Sequence, residues 1–185
     1  MPMLLNFALF QIGWFACVLG GANNLPWLGS VTVLIVVALH LGRAVQPARE
    51  ATLVLGAGAI GAIYDSTLVS LGLMSYPSGT VIAGTAPHWL IAMWMLFATT
   101  LNVSLRWLRG RWLLAATLGA VFGPLAYYGG AKLGGMMFEN GRVALIALAV
   151  GWACWMPLLS RLSQHLDGTR GPLAAVDHSA TGKAN

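Results

Sequence analysis

Few residues in this chain have the chemistry to act on anything, because only 8% of its 185 residues are charged. Asp65 stands out among them. It lies in Ala51–Met74, an otherwise almost uncharged apolar stretch long enough to cross a bilayer. An isolated carboxylate in hydrocarbon costs about 3 kcal/mol or more, so it faces protein, water or a ligand rather than lipid. Two chemistries are open to it: a neutral acid that hydrogen-bonds neighbouring helices, or a proton-linked ligand site.

Depth counting selects its partners. At about 1.5 Å per residue, Asp65 lies roughly 21 Å from one boundary of its span, past the midplane. Thr32, Trp94, Tyr127 or Tyr128, and Trp152 fall at a similar depth. Tyr127 is the expected partner, since a phenol hydrogen-bonds either form of the acid. Lys132 lies about 7 Å further along the same helix and is expected to reach inward as a counter-ion. Gly58, Gly61 and Gly72 fall on the face of Asp65 at helical spacing, and a glycine-lined face packs on another helix.

A second polar layer is expected near the inner surface, from Asn6 and Gln11 on the first span, His40 on the second, and Asn102 with Arg106 on the fourth. Arg106 follows Asn102 by one helical turn and so shares its face. Asn102 and Asp65 differ in depth by about 12 Å, which separates the two layers. Amides in such a layer commonly bond neighbouring helices, at about 0.6 kcal/mol each. There is no clustered pair of histidines, no second membrane carboxylate and no nucleophile beside a base, so no catalytic motif is expected. Cys17 and Cys154 lie inside spans without CxxC spacing or a histidine nearby, so neither a metal site nor a disulfide framework is indicated, and no cofactor is expected.

The elements that must position these residues are apolar helices. The chain is 58% hydrophobic with a mean hydropathy of +0.75, far too apolar for a soluble domain of this length. Six segments stand out: Met3–Ala22, Pro26–Gly42, Ala51–Met74, His88–Trp107, Trp112–Leu133 and Val143–Leu162. About 20 apolar residues cross roughly 30 Å of hydrocarbon, and lipid admits only helices or closed barrels. The expected fold is therefore all-α, a polytopic bundle of six transmembrane helices over residues 1–162. A polar, disordered cytoplasmic tail is expected over 163–185. The first segment carries no Lys or Arg ahead of its apolar run, so it reads as a retained helix rather than a signal peptide.

The net charge of +5 follows the same plan. Arg43, Arg49, Arg106, Arg109, Arg111, Arg161, Arg170 and Lys183 fall on one side of six spans, and Lys132 and Arg142 on the other. That bias places both termini in the cytoplasm and removes the case for nucleic acid. Trp27 and Trp89 bracket one interface, Trp107 and Trp112 the other. Ala115, Gly119 and Gly123 recur at the spacing that lets helices approach closely, and Pro124 is expected to kink the fifth helix.

Several ordered motifs together carry a family likeness. They are Asn6–Phe15, Asp65-Ser66, Pro87-His88-Trp89, Phe97–Leu105 and Gly123–Tyr127. Across essentially all six spans the chain resembles the bacterial inner-membrane family known as domain of unknown function 2878. That resemblance implies a multi-pass membrane protein and no particular activity.

Three functions are weighed. The first is binding or transport of a lipid-like or small amphipathic molecule between the two polar layers, with membrane lipids as partners. The second is a structural role beside another membrane protein, or in a homo-oligomer, through the glycine-rich faces. The third is an enzyme acting on lipid at the inner surface, with His40, Asn102 and Arg106 at the polar end.

Overall fold

Apolar runs this long leave the backbone nothing to hydrogen-bond but itself, and the chain is helical accordingly. A computed structural model describes residues 1–170. It comprises α1 (Met3–Ala22), α2 (Pro26–Leu41), α3 (Pro47–Ser70), α4 (His88–Leu101), α5 (Trp112–Lys132) and α6 (Gly141–His165). Two short strands, β1 (Met74–Ser75) and β2 (Met137–Phe138), pair antiparallel and tie the α3–α4 loop to the α5–α6 turn. Local sequence explains the boundaries. Pro26 and Pro47 open α2 and α3 at the first helical position, where no amide is needed. Past the end of α3, Gly72 adopts φ +65°, a left-handed turn that stops the helix. The Asn140 side chain caps α6 by accepting from the Val143 amide.

Four helices, α1, α3, α5 and α6, are long and apolar enough to cross a membrane. The other two are shorter, at 16 residues for α2 and 14 for α4. Nine of those 14 residues in α4 are buried, and α4 packs on α1, α2 and α3, which makes it the central post. The surrounding helices turn large apolar side chains outward, among them Leu4, Ile63, Phe122 and Val150. That outward apolar surface suits lipid, not water.

Several expected boundaries shift. The fourth segment is helical only to Leu101, short of Trp107. A continued helix would give the Asn102 carbonyl to the Arg106 amide. Instead the Arg106 guanidinium takes that carbonyl, through Nε at 2.9 Å and Nη2 at 2.7 Å, and a short 3-10 turn follows at Arg106–Leu108. Arg106 thus shares no helical face with Asn102; it reaches back to it. The third helix starts at Pro47 and ends at Ser70, which brings Glu50 into the helix and leaves Gly72 off the face of Asp65. The expected tail boundary at residue 163 also moves, since α6 runs to His165 and residues 166–170 are placed against the bundle; the tail expected over 171–185 lies outside the described residues.

Trp89 is not an interfacial anchor. It is 2% exposed, beneath the α3–α4 loop, where its indole donates to the Ser78 carbonyl at 3.0 Å. Trp27, Trp107 and Trp112 are exposed. Of the thiols, Cys17 is buried and Cys154 exposed.

Candidate functional site

The buried face of α3 is a continuous stripe of Glu50, Leu53, Val54, Ala57, Gly58, Gly61, Asp65 and Leu68. Its spacing follows the helical period, so one face of one helix carries a carboxylate near each end of the bundle. Each organises a separate polar cluster.

Asp65 is 0% exposed. The Tyr127 hydroxyl donates to it, lying 2.8 Å from Oδ1 and 3.0 Å from Oδ2, and the Trp94 indole donates to Oδ2 at 2.7 Å. Close packing holds these donors in place. A Cβ added at Gly61 would run into the Trp94 ring. On its far side Trp94 stacks on Trp152, with centroids 4.7 Å apart and planes 18° apart. Gly119 and Gly123 leave the room that Trp152 fills, since a Cβ at either would strike it. Pro124 sits within α5 beside this seam. Of the residues expected at this depth, Trp94 and Tyr127 touch the acid and Trp152 backs Trp94. Thr32 turns away and bonds its own helix at the Leu28 carbonyl. Lys132 is exposed, with its ammonium 5.2 Å over the Tyr128 ring, so it is no counter-ion to Asp65.

The second cluster surrounds Glu50, also 0% exposed, at the end of the bundle that carries the N-terminus. His40 Nε2 lies 2.7 Å from Oε2. The Asn102 amide and the Gly168 backbone N–H both donate to Oε1 at 2.7 Å. Arg109 donates to the Asn102 side-chain oxygen, and Arg106 and Arg109 each lie 2.9 Å from Asp167 Oδ2. The chain after α6 is thereby strapped across the ends of α3 and α4. Gly168 is needed there, because a Cβ would meet the Gln46 backbone.

Asn6 and Gln11, expected in the same layer, lie apart from this cluster. Asn6 donates to the Thr99 carbonyl at 3.1 Å and accepts from Ser104. Gln11 faces a cavity instead. A second buried carboxylate therefore exists where none was expected. Its signal was Pro47, which marks a helix start that takes in Glu50. Asp167 and Arg109 left no such signal, because they lie 58 positions apart with α5 and α6 between them.

A cavity of about 730 Å³ lies between α1, α4, α5 and α6. Phe10, Trp14, Phe97, Phe122 and Trp152 give it aromatic walls, and among the described residues no charged one lines it. It reaches Trp94 and Tyr127 but not Asp65, Glu50, His40 or Asn102. Among the described residues no group of three or more His, Cys, Asp or Glu is arranged to hold a metal ion.

Both acids thus have their donors within the protein, and the cavity beside α4 is largely apolar. Residues 3–158 match the family described as "Protein of unknown function (DUF2878)". The chain belongs to that family. The matched segment takes in both acids, the cavity and all but the last turns of α6, while Asp167 and Gly168 follow it. No curated protein and no solved structure matches this DUF2878 chain.

Proposed function

We propose that this DUF2878 protein spans the bacterial inner membrane six times, with both termini in the cytoplasm, and binds or moves a lipid-like amphipathic molecule in the cavity beside α4. The four long apolar helices support the membrane setting. The arginine bias toward one end supports the orientation. At about 1.5 Å per residue α2 and α4 cover roughly 24 and 21 Å, and their flanking turns make up the remaining depth.

The cavity carries the ligand reading. Small-molecule sites enclose about 300–1,000 Å³ and are mostly apolar with a few polar groups, and this one holds about 730 Å³ with aromatic walls. Catalysis finds less support. Glu50 and Asp65 are each enclosed by donors, and neither lines the cavity.

Purification in mild detergent followed by mass spectrometry of bound lipids tests the reading. One amphipathic species, enriched over bulk lipid, is the expected result. An empty bundle that always travels with one protein would instead support the structural role, and conversion of the bound lipid on incubation the enzyme. Reporter fusions test the topology: a C-terminal reporter should be cytoplasmic, and one inserted near Gly79 periplasmic.

A further inference from the structure

Resting on that reading, we infer that the cavity takes the single hydrocarbon chain of an uncharged amphipath, whose hydroxyl-bearing end sits beside Gln11, Thr100 and Ser104. Three helices measure the space alike. Phe7 to Val18 on α1, Trp89 to Thr100 on α4 and Leu118 to Gly130 on α5 bound it, and each run covers about 17 Å at the helical rise. That is close to the roughly 15 Å of hydrocarbon in one leaflet.

The width admits a single chain. Spread over about 17 Å, the volume of about 730 Å³ leaves a mean section of about 43 Å². One extended chain fits such a section.

The polar lining sets the headgroup. Thr100 and Ser104 lie at the end of α4 nearest the N-terminus, and Gln11 stands about 7 Å further along α1 from Asn6, which Ser104 bonds. Thr100 already donates to the Phe97 carbonyl at 2.6 Å, and Ser104 to Asn6, so both hydroxyl oxygens are left as acceptors. They suit a ligand hydroxyl that donates. With no cationic side chain on the wall among the described residues, an anionic headgroup drawn inside would be desolvated without a partner there. Arg161, with Gln164 and His165, lines a separate groove. Leu108 borders both spaces and packs with Ala115 and Met156 as a buried apolar cluster.

The test is quenching of tryptophan fluorescence in the full-length protein by two chains brominated at mid-length, a monoacylglycerol and the matching fatty acid, at a pH where the acid is ionised. Gly130→Leu is the filling variant, since Gly130 lines the cavity and a Cβ there stands in ordinary contact, 3.8 Å from Val18. Gly129→Leu, 3.7 Å from Trp14, is the second filling variant if the first misfolds. The monoacylglycerol should quench saturably, at least about tenfold more tightly than the fatty acid, and the filling variant should weaken it by at least about tenfold. Gln11→Leu should weaken it by about tenfold as well. Equal or tighter binding of the fatty acid, itself lost on filling, overturns the uncharged headgroup and leaves the amphipath reading standing. Unchanged affinity in Gln11→Leu overturns the placement of the hydroxyl end. Quenching by neither chain, with no co-purified lipid, overturns the amphipath reading itself. A change in oligomeric state on filling, without any lipid bound, points to a second copy as the occupant and also overturns the inference.

Discussion

Glu50 and Asp65 occupy one buried stripe of α3, about 22 Å apart along its axis, and each is fully enclosed by donors from other elements. The pair makes α3 the tie of the bundle. At one end it holds α2, α4 and the chain after α6 through Glu50. At the other it holds α4 and α5 through Asp65. Close helix packing without a hydrophobic drive between helices needs such polar ties. The cavity lies alongside this framework and shares Trp94 and Tyr127 with the Asp65 tie, while the two carboxylates stay off its wall.

The Glu50 end should be the more sensitive. Glu50→Ala leaves His40, the Asn102 amide and the Gly168 N–H without their acceptor. Leaving a buried donor without a partner costs about 1–3 kcal/mol for each such group. Thermal unfolding in detergent should show a loss of that order, with faster amide exchange at Gly168. Glu50→Gln keeps one carbonyl oxygen and should lose roughly half as much. An unchanged melting temperature in Glu50→Ala would mean that the cluster holds nothing together.

What could be read from sequence follows from what a helix fixes. Rise per residue is constant, so counting places Asp65, Trp94, Tyr127 and Thr32 at one level. Counting carries no azimuth, and Thr32 in fact faces its own helix. Lys132 fails for a different reason: an exposed ammonium and a nearby aromatic face leave it no cause to enter the bundle. The long apolar runs made the helical class legible, whereas the end of α4 was not. That helix stops where Arg106, four residues on, captures the Asn102 carbonyl and Glu50, far off in sequence, captures the Asn102 side chain. Contacts between residues distant in sequence left no pattern to read.

At the other tie, Asp65→Ala orphans the Trp94 N–H and the Tyr127 O–H, at about 1–3 kcal/mol for each buried donor. Asp65→Asn retains a carbonyl oxygen and should lose less. Tyr127→Phe, which removes one donor and leaves the Trp94 bond, should cost about 1 kcal/mol. Equilibrium unfolding of the three variants checks the order. Normal stability in Asp65→Asn together with lost lipid binding would contradict a purely structural role for the acid.

The strap after α6 should respond to acid. Burial pushes the Asp167 carboxyl up, but hydrogen bonds from Thr169, Arg109 and Arg106 outweigh it and hold it at about 2, below the ordinary 3.8. A carboxyl depressed on folding contributes stability that is complete above its unfolded value and lost as pH falls through the folded one. The strap should therefore stay docked at neutral pH and down to about 4, then release as pH falls toward about 2. Hydrogen exchange at Gly168 and Thr169 across that window measures it. Asp167→Asn should exchange faster at neutral pH and lose the acid-dependent step. A wild-type step in the variant would assign the transition to another group.

Glycines on the α3 and α5 faces should differ sharply from one another. A Cβ at Gly61 meets the Trp94 ring, and one at Gly123 meets Trp152, while nothing lies within 4 Å of a Cβ at Gly56. Gly61→Ala therefore pushes Trp94 off Asp65, and Gly123→Ala unseats the stacked Trp152 behind it. Overpacking of this kind costs about 1–3 kcal/mol. Gly56→Ala gains helix propensity with no clash, about 0.5–1 kcal/mol in the stabilising direction. Unfolding midpoints should fall for the first two and rise for the third, and tryptophan emission should shift in Gly61→Ala and Gly123→Ala alone. If Gly61→Ala is as stable as the wild type, the bond between Trp94 and Asp65 is not what sets the spacing of α3 and α4.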